Sequence, residues 1–156
     1  MSFDKAFEHV IGVEGGYVND PRDPGGETIY GITRRDHPDA WADGRPTLDQ
    51  AKAIYQRLYW NAVKADALPW PLSLFVFDAA VNQGVSTAVK LLQKTLGTVQ
   101  DGVLGNNTLA AINKSDPTEL CAMFMADRAL RYTGTRNFDV YGRGWFKRLF
   151  RLTMEK

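Results

Sequence analysis

Residues 14–33 read EGGYVNDPRDPGGETIYGIT, and this stretch is the most informative part of the chain. Its Gly, Pro, Asp and Asn residues are typical of turns, so we predict a loop that passes into a small hairpin over residues 28–33. Glu14 stands where a preceding helix is expected to end and a glycine-rich loop to begin. Because Gly15 and Gly16 follow it, no bulky neighbour would block a ligand that approaches Glu14.

The carboxyl groups and the hydroxyl in this loop suit the cleavage of a glycosidic bond. That reaction needs one carboxylic acid to protonate the leaving oxygen and a second carboxylate to activate water or to stabilise the sugar cation. An apolar pocket would raise the pKa of the acid as the first role requires. The candidates are Glu14, Asp20, Asp23, Glu27 and Thr28.

Two other interpretations of the same acids have to be weighed. Asp20 and Asp23 each precede a proline, where Asp favours turn initiation, so both can be ordinary turn residues. A calcium-binding loop is disfavoured, because the acids do not alternate and the acidic residue expected at the twelfth position is missing.

Outward from this stretch, the sequence predicts a mainly helical chain with little sheet. Apolar spacing and capping residues indicate a first helix from Phe3 to about Val13 or Glu14. Further helices are predicted at about 48–60, 72–82, 86–96, 108–112, 118–132 and 143–154. We expect a single domain with a catalytic lobe at 1–70 and a helical lobe at 71–156.

Composition narrows the class of protein. The chain has 156 residues, 44 % apolar and 24 % charged, as in ordinary globular proteins. Cys121 is the single cysteine, which excludes an internal disulfide, and His9 and His37 do not have metal-ligand spacing. We therefore expect no metal and no cofactor. No secretory signal and no membrane span are recognised, so we expect a protein made in the cytosol and no stable membrane insertion.

The net charge of +1 does not indicate a partner, but the C-terminal part is basic. Between residues 128 and 151 the sequence contains seven Lys and Arg residues and a single acidic residue, Asp139. Such a region can meet nucleic acid, anionic lipid or an anionic cell wall, or it can be a solvated helix face. Helical packing explains the aromatic residues among these cations, so we do not predict a nucleic-acid partner.

Here the residues support a resemblance. Glu14–Tyr17, Asp20–Thr28 and Tyr30–Thr33 resemble the signature of glycoside hydrolase family 108, which contains phage and bacterial N-acetylmuramidases. The second half is similar to the peptidoglycan-binding segment usually found behind the catalytic part of that family. The residues that carry this second similarity are Asp78, Asn82–Gly84, Leu92, Gln93, Leu96, Gly97, Asp101, Gly102, Gly105 and Thr108. The resemblance is least clear over residues 34–70 and over the C-terminal end.

The resemblance implies a lysozyme-like fold with a small hairpin near the active-site loop. It also implies cleavage of the β-1,4 bond between N-acetylmuramic acid and N-acetylglucosamine, with Glu14 as general acid. Phage lysozymes more widely place an Asp after eight intervening residues and then a Thr, which points to Asp23 and Thr28. The step from Asp23 to Thr28 is one residue shorter than in those lysozymes, and Asp20 is the competing second carboxylate.

Substrate contacts are expected from two regions. Tyr17 and Tyr30 can stack on sugar rings, or they can simply cover the hairpin. Asp78, Asn82 and Gln83 lie on a predicted buried helix and need polar partners. They can line the cleft and bind N-acetyl groups, which the resemblance favours, or they can join helix ends.

We therefore expect a monomeric muramidase, most simply a phage endolysin, that acts on bacterial peptidoglycan and causes lysis. A chromosomal origin in a prophage or a secretion cluster is the alternative setting. The enzyme would wait in the bacterial cytoplasm and reach the wall after the membrane is permeabilised. Two other functions stay open. A lytic transglycosylase needs one Glu and no water-activating Asp, and a non-catalytic peptidoglycan-binding protein would use the second half alone.

Overall fold

The structure is a computed structural model that describes residues 2–12 and 15–155. Val13 and Glu14 lie outside the described residues, as do the two terminal ones. The chain divides into two compact units, of which the first is Phe3–Leu58 and the second begins at Tyr59. The helices and the small sheet below are described within each unit.

Two helices frame the first unit. Helix α1 (Ser2–Ile11) buries Phe3, Ala6, Phe7 and Ile11, which recur at helical spacing on one face. Helix α2 (Leu48–Tyr55) begins at a capping box, in which the Thr47 hydroxyl accepts the Gln50 backbone N–H and the Gln50 side chain accepts that of Thr47. It continues as a π-helical turn (Gln56–Trp60), so the predicted helix over 48–60 is confirmed.

The sheet has three short antiparallel strands in the order β1 (Val18–Asn19), β2 (Glu27–Ile29) and β3 (Ile32–Thr33). Strands β2 and β3 are joined by Tyr30 and Gly31, whose φ angles of 51° and 72° define a two-residue turn with left-handed backbone. A Cβ at position 31 would collide with the Tyr55 hydroxyl, so glycine is required there by space as well. The predicted hairpin is confirmed, and the two-residue strand β1 adds an edge that the sequence did not indicate.

The second unit is helical. It contains α3 (Leu72–Gln83), α4 (Val85–Leu96), α5 (Asn106–Lys114), α6 (Pro117–Thr133) and α7 (Phe138–Thr153). Residues 72–80 of α3 are all buried, so this helix forms the centre of the unit, packed against α4 and α6. Helix α7 begins five residues before the predicted Arg143. It accommodates Gly142 because the Phe138 ring fills the space that a Cβ would need.

A buried amide holds the loop between α4 and α5. The Gln93 Nε2 atom lies 2.7 Å from Asp101 Oδ1, 3.0 Å from the Val103 carbonyl and 3.1 Å from Thr108 Oγ1. Its Oε1 atom accepts the Gly102 N–H at 2.9 Å. Gln93 is fully buried, so each of its polar atoms needs such a partner. Gln93, Asp101, Gly102 and Thr108, which carry part of the similarity to the peptidoglycan-binding segment, therefore have a structural role.

Along the described part of the chain, no helix combines the length and the apolar character needed to cross a bilayer.

Candidate active site

Two consecutive turns present the acids of the loop. Each begins with Asp-Pro: the Asp23 N–H donates to the Asp20 carbonyl at 2.9 Å, and the Gly26 N–H donates to the Asp23 carbonyl at 3.0 Å. In both turns Oδ1 of the first Asp accepts the backbone N–H two residues on, from Arg22 at 2.9 Å and from Gly25 at 2.8 Å. The interpretation of Asp20 and Asp23 as turn residues is therefore confirmed, and it does not prevent their carboxylates from acting.

The residue two positions after each Asp makes the two carboxylates different. Arg22 folds back on Asp20, with Nε 3.0 Å from Oδ1 and Nη2 2.9 Å from Oδ2, and this lowers the pKa of Asp20. The equivalent position after Asp23 is Gly25, which has no side chain. Among the described residues, no donor is within hydrogen-bond distance of Asp23 Oδ2.

Asp23 is exposed, and among the described residues no arginine or lysine forms an ion pair with it. Arg35, the neighbouring cation, is ion-paired with Asp36 at 2.9 Å and has a weaker through-space interaction with Asp23. Of Asp20 and Asp23, the geometry leaves the second as the carboxylate that can face a developing positive charge.

Glu27, like Asp20, forms an ion pair with an arginine, so its negative charge is compensated. Arg34 Nη1 lies 2.5 Å from Glu27 Oε2, and the Tyr17 hydroxyl donates to Oε1 at 2.8 Å. The Arg34 and Tyr17 hydrogen bonds hold the pKa of Glu27 below its ordinary value, against the opposing effect of desolvation. Glu27 therefore stays ionised at neutral pH and is unsuited to the role of proton donor.

Thr28 is the central residue of β2, paired with Val18 on one side and Thr33 on the other. Its Oγ1 is 3.5 Å from the Gly26 carbonyl, a contact too long to hold the hydroxyl strongly. In the described part of the chain, Thr28 makes no hydrogen bond to Asp23. The hydroxyl is thus free to bond water or a ligand, and its predicted role stays a prediction.

The two tyrosines beside the loop have different surroundings. The Arg45 guanidinium carbon lies 3.5 Å from the centroid of the Tyr17 ring, so one face of that ring carries a cation–π contact. The Tyr30 ring lies so near Gly15 that a Cβ there would be 3.3 Å from Tyr30 Cδ1. A side chain at position 15 would therefore crowd Tyr30, which gives a packing reason for the glycine that follows Glu14. Stacking of either ring on a sugar stays a prediction.

Asp78 lies in the second unit, where it joins three helices. It is 1 % exposed, and Arg128 Nη2 of α6 lies 2.9 Å from its Oδ2. From α7, Arg148 Nη2 and Nε lie 2.7 Å and 2.9 Å from its Oδ1. Since both oxygens are engaged and buried, Asp78 has the second of the two roles left open by the sequence, that of joining helices.

Asn82 and Gln83 end the same helix. The Tyr132 hydroxyl donates to Asn82 Oδ1, and the Tyr132 ring stacks on Trp145 with centroids 4.9 Å apart. Gln83 is half-buried, and its Oε1 atom is enclosed without a hydrogen-bond donor from any described residue. An enclosed acceptor without a partner is costly, and a ligand N–H could satisfy it.

The arginines that form ion pairs with these acids were not predicted from the sequence. Arg22 could have been found, since it stands two residues after Asp20 in a predicted turn. Arg128 and Arg148 were counted in the basic C-terminal region, but they are buried and half-buried partners of Asp78 rather than part of a free basic surface. No local signal could have shown this, because they lie 50 and 70 residues along the chain from Asp78. Among the described residues, no group of three or more His, Cys, Asp and Glu is arranged to hold a metal ion.

Comparisons with known proteins identify the family of the chain. A family model described as Glycosyl hydrolase 108 matches residues 7–84, and one described as Predicted Peptidoglycan domain matches residues 87–150. Among solved structures, Brucella abortus SagA is 37 % identical, with 98 % of this chain and 92 % of that chain covered and a TM-score of 0.85. No curated protein matches the chain.

These findings confirm a mainly helical, lysozyme-like fold with a small antiparallel sheet. They also identify the protein as a glycoside hydrolase that acts on peptidoglycan, with peptidoglycan as its binding partner. The first match covers half of the chain and includes the whole loop that carries the candidate acids. The chain belongs to the glycosyl hydrolase 108 family.

Proposed function

We propose that the protein is an N-acetylmuramidase, which hydrolyses the β-1,4 bond between N-acetylmuramic acid and N-acetylglucosamine. Glu14 is the general acid and Asp23 is the second carboxylate. The observation that carries the proposal is the contrast among the loop acids: Asp20 and Glu27 are neutralised by arginine, whereas Asp23 keeps an open oxygen. Glu14 lies outside the described residues, and its role is supported by its position in the family signature.

The proposed reaction is a hydrolysis, in which one water molecule is consumed for each glycosidic bond that breaks. Glu14 donates its proton to the glycosidic oxygen as the bond from that oxygen to C1 of muramic acid breaks. The ionised Asp23 stabilises the positive charge that develops on the sugar ring, or it orients the attacking water. The water oxygen bonds to C1, and the proton that the water loses restores the acid form of Glu14. The products are a reducing muramic acid end and a free 4-hydroxyl on N-acetylglucosamine.

The other predicted residues have supporting roles in this proposal. The Thr28 hydroxyl, which is only weakly held, bonds the attacking water. Tyr17 and Tyr30 contact the sugar rings, Tyr17 with the part of its surface that Arg45 leaves free. Asn82 and Gln83 contact N-acetyl groups, since the open Gln83 Oε1 can accept an amide N–H. The proposed contacts exclude Asp78, whose oxygens are both held by arginine.

We further propose that this activity lyses bacteria, as in a phage endolysin that acts as a monomer. In this setting the enzyme accumulates in the cytoplasm and reaches the wall after the membrane is permeabilised. The exposed basic residues of α7, which are Arg143, Lys147 and Arg151, would favour contact with an anionic envelope.

Mass spectrometry of the soluble products from purified peptidoglycan tests the reaction. We expect reducing muramic acid ends that incorporate one oxygen from labelled water. Anhydro-muramic ends without label would show a lytic transglycosylase instead. Binding to peptidoglycan without any soluble product would show a wall-binding protein without catalytic activity.

A pair of isosteric variants tests the choice of the second carboxylate. Asp23→Asn removes the charge that faces the substrate, so we expect kcat to fall by about 10²-fold or more. Asp20→Asn removes a carboxylate that Arg22 already neutralises, so we expect kcat within about threefold of wild type, because exposed ion pairs contribute little. Initial rates on solubilised glycan strands measure both. The reverse order of the two effects would reassign the role to Asp20.

A further inference from the structure

A groove in the second unit has the character of a binding site. It has a volume of about 590 Å³ and lies between α4 and α6, where it also borders the segment that follows α6. The polar side chains that line it include Thr87, Lys90, Lys94, Asp127, Arg131 and Thr135. It lies within the part of the chain that matches the peptidoglycan domain, residues 87–150.

The charges in this groove are unbalanced. Lys90 and Lys94 are four residues apart on α4, so they share one face of that helix, and Arg131 faces them from α6. Within the described residues, none of these three cations forms an ion pair. Asp127 is the single acid among the lining residues, and its Oδ2 accepts a hydrogen bond from Thr95 at 2.8 Å. The groove therefore presents uncompensated positive charge.

One of the lysines is held in place. A Cβ built on Gly102 would lie 3.2 Å from Lys90 Cε and 3.6 Å from Lys90 Cγ, so the stem of Lys90 runs against the turn at Gly102. That turn is fixed by the Gln93 side chain, which accepts the Gly102 N–H. Because its stem is packed, Lys90 loses less side-chain entropy when an anion binds.

The chemistry of peptidoglycan indicates which part of the polymer matches the positive charge of the groove. The glycan strands carry no free charge at their N-acetylglucosamine units, whereas the short peptides attached to muramic acid carry free carboxylates. Positive charge suits those carboxylates, and the Thr87 hydroxyl suits peptide N–H and C=O groups. Leu91 and Leu130 in the same lining suit small apolar side chains such as alanine methyls.

We propose that this groove binds the carboxylates of the peptidoglycan stem peptide through Lys90, Lys94 and Arg131. The inference deepens the proposed function and rests on it, because it assumes that the substrate carries its peptides. It assigns to the second unit the recognition of peptide, while the loop acids of the first unit cleave the glycan.

Binding to the muropeptide monomer tests the proposal. This monomer, a disaccharide with its stem peptide, has no bond that a muramidase cleaves, so the wild-type enzyme can be used in calorimetry. We expect Lys90→Gln/Lys94→Gln to bind it about tenfold more weakly, since two exposed charge contacts are lost together. Lys64→Gln/Lys114→Gln makes the same change of charge at exposed positions outside the groove and should bind within about twofold of wild type. Far-ultraviolet circular dichroism checks that both double variants are folded.

A second test uses a muropeptide monomer in which the carboxylates of the stem peptide are amidated and therefore uncharged. Wild type should lose about tenfold in affinity for the amidated monomer. Lys90→Gln/Lys94→Gln should lose clearly less, since only the contact with Arg131 is left to be removed. Equal affinity of wild type for the free and amidated monomers would overturn the proposal. Tighter binding of a glycerol phosphate polymer than of the monomer would also overturn it, in favour of a phosphate polymer as the ligand.

Cleavage of peptide-free glycan strands by wild type tests the muramidase reaction separately. Failure of the proposed peptide site can therefore be distinguished from failure of the proposed muramidase reaction.

Discussion

Glu14→Gln is expected to lower kcat for peptidoglycan hydrolysis by about 10²–10⁴-fold, the contribution of a positioned general acid. Glutamine has the same shape as glutamic acid but cannot transfer a proton to the glycosidic oxygen. Substrate binding should persist, because the amide still hydrogen-bonds to the sugar. Single-turnover rates on solubilised glycan strands measure the chemical step, and sedimentation with insoluble peptidoglycan measures the binding.

Glu8→Gln is the matched control. Glu8 is an exposed residue of α1, so the same chemical change there should leave the rate within about twofold of wild type. If Glu14→Gln retained full activity, the proton donor would have to be another residue, and the proposed mechanism would be wrong. Glu27 would be a poor replacement, since Arg34 and Tyr17 lower its pKa and keep it ionised.

Asp78→Ala should be the most destabilising of the substitutions considered. Removing this carboxylate leaves Arg128, which is fully buried, without its ion partner. Breaking one side of a buried ion pair typically costs about 3–5 kcal/mol, and here the same change also releases Arg148 and so weakens the attachment of α7. Urea unfolding followed by circular dichroism measures the loss in the free energy of unfolding.

Two further variants show whether the cost comes from the uncompensated charge. Asp139→Ala removes an exposed carboxylate from the first turn of α7 and should cost less than about 1 kcal/mol. Asp78→Leu/Arg128→Met replaces both buried charges by apolar side chains and should recover much of the stability lost in Asp78→Ala. If the double variant were as unstable as the single one, loss of shape rather than of charge compensation would explain the result.

The local elements could be predicted because their determinants are close together in the chain. Thr47 and Gln50 form a capping box three residues apart. Helix α6 starts at Pro117 with Asp116 as its N-cap, one residue before the predicted start at 118. The hairpin turn at Tyr30 and Gly31 depends on two neighbouring residues. The start of α7 was predicted too late, since a glycine inside a helix reads as a break until the packing of Phe138 against Gly142 is known.

The sequence by itself determined the helical fold class, the turn-rich loop after α1 and the set of candidate acids, since each depends on contacts between residues within a few positions. For Asp20 the ion pair is also local, since Arg22 is two residues away, but the ion pairs of Glu27 and Asp78 were decided by the tertiary structure. Glu27 is neutralised by an arginine on the far side of the hairpin turn, and Asp78 is neutralised by arginines 50 and 70 residues away. The free energy of a carboxylate depends on every charge near it in space, and only folding brings distant parts of the chain within that distance.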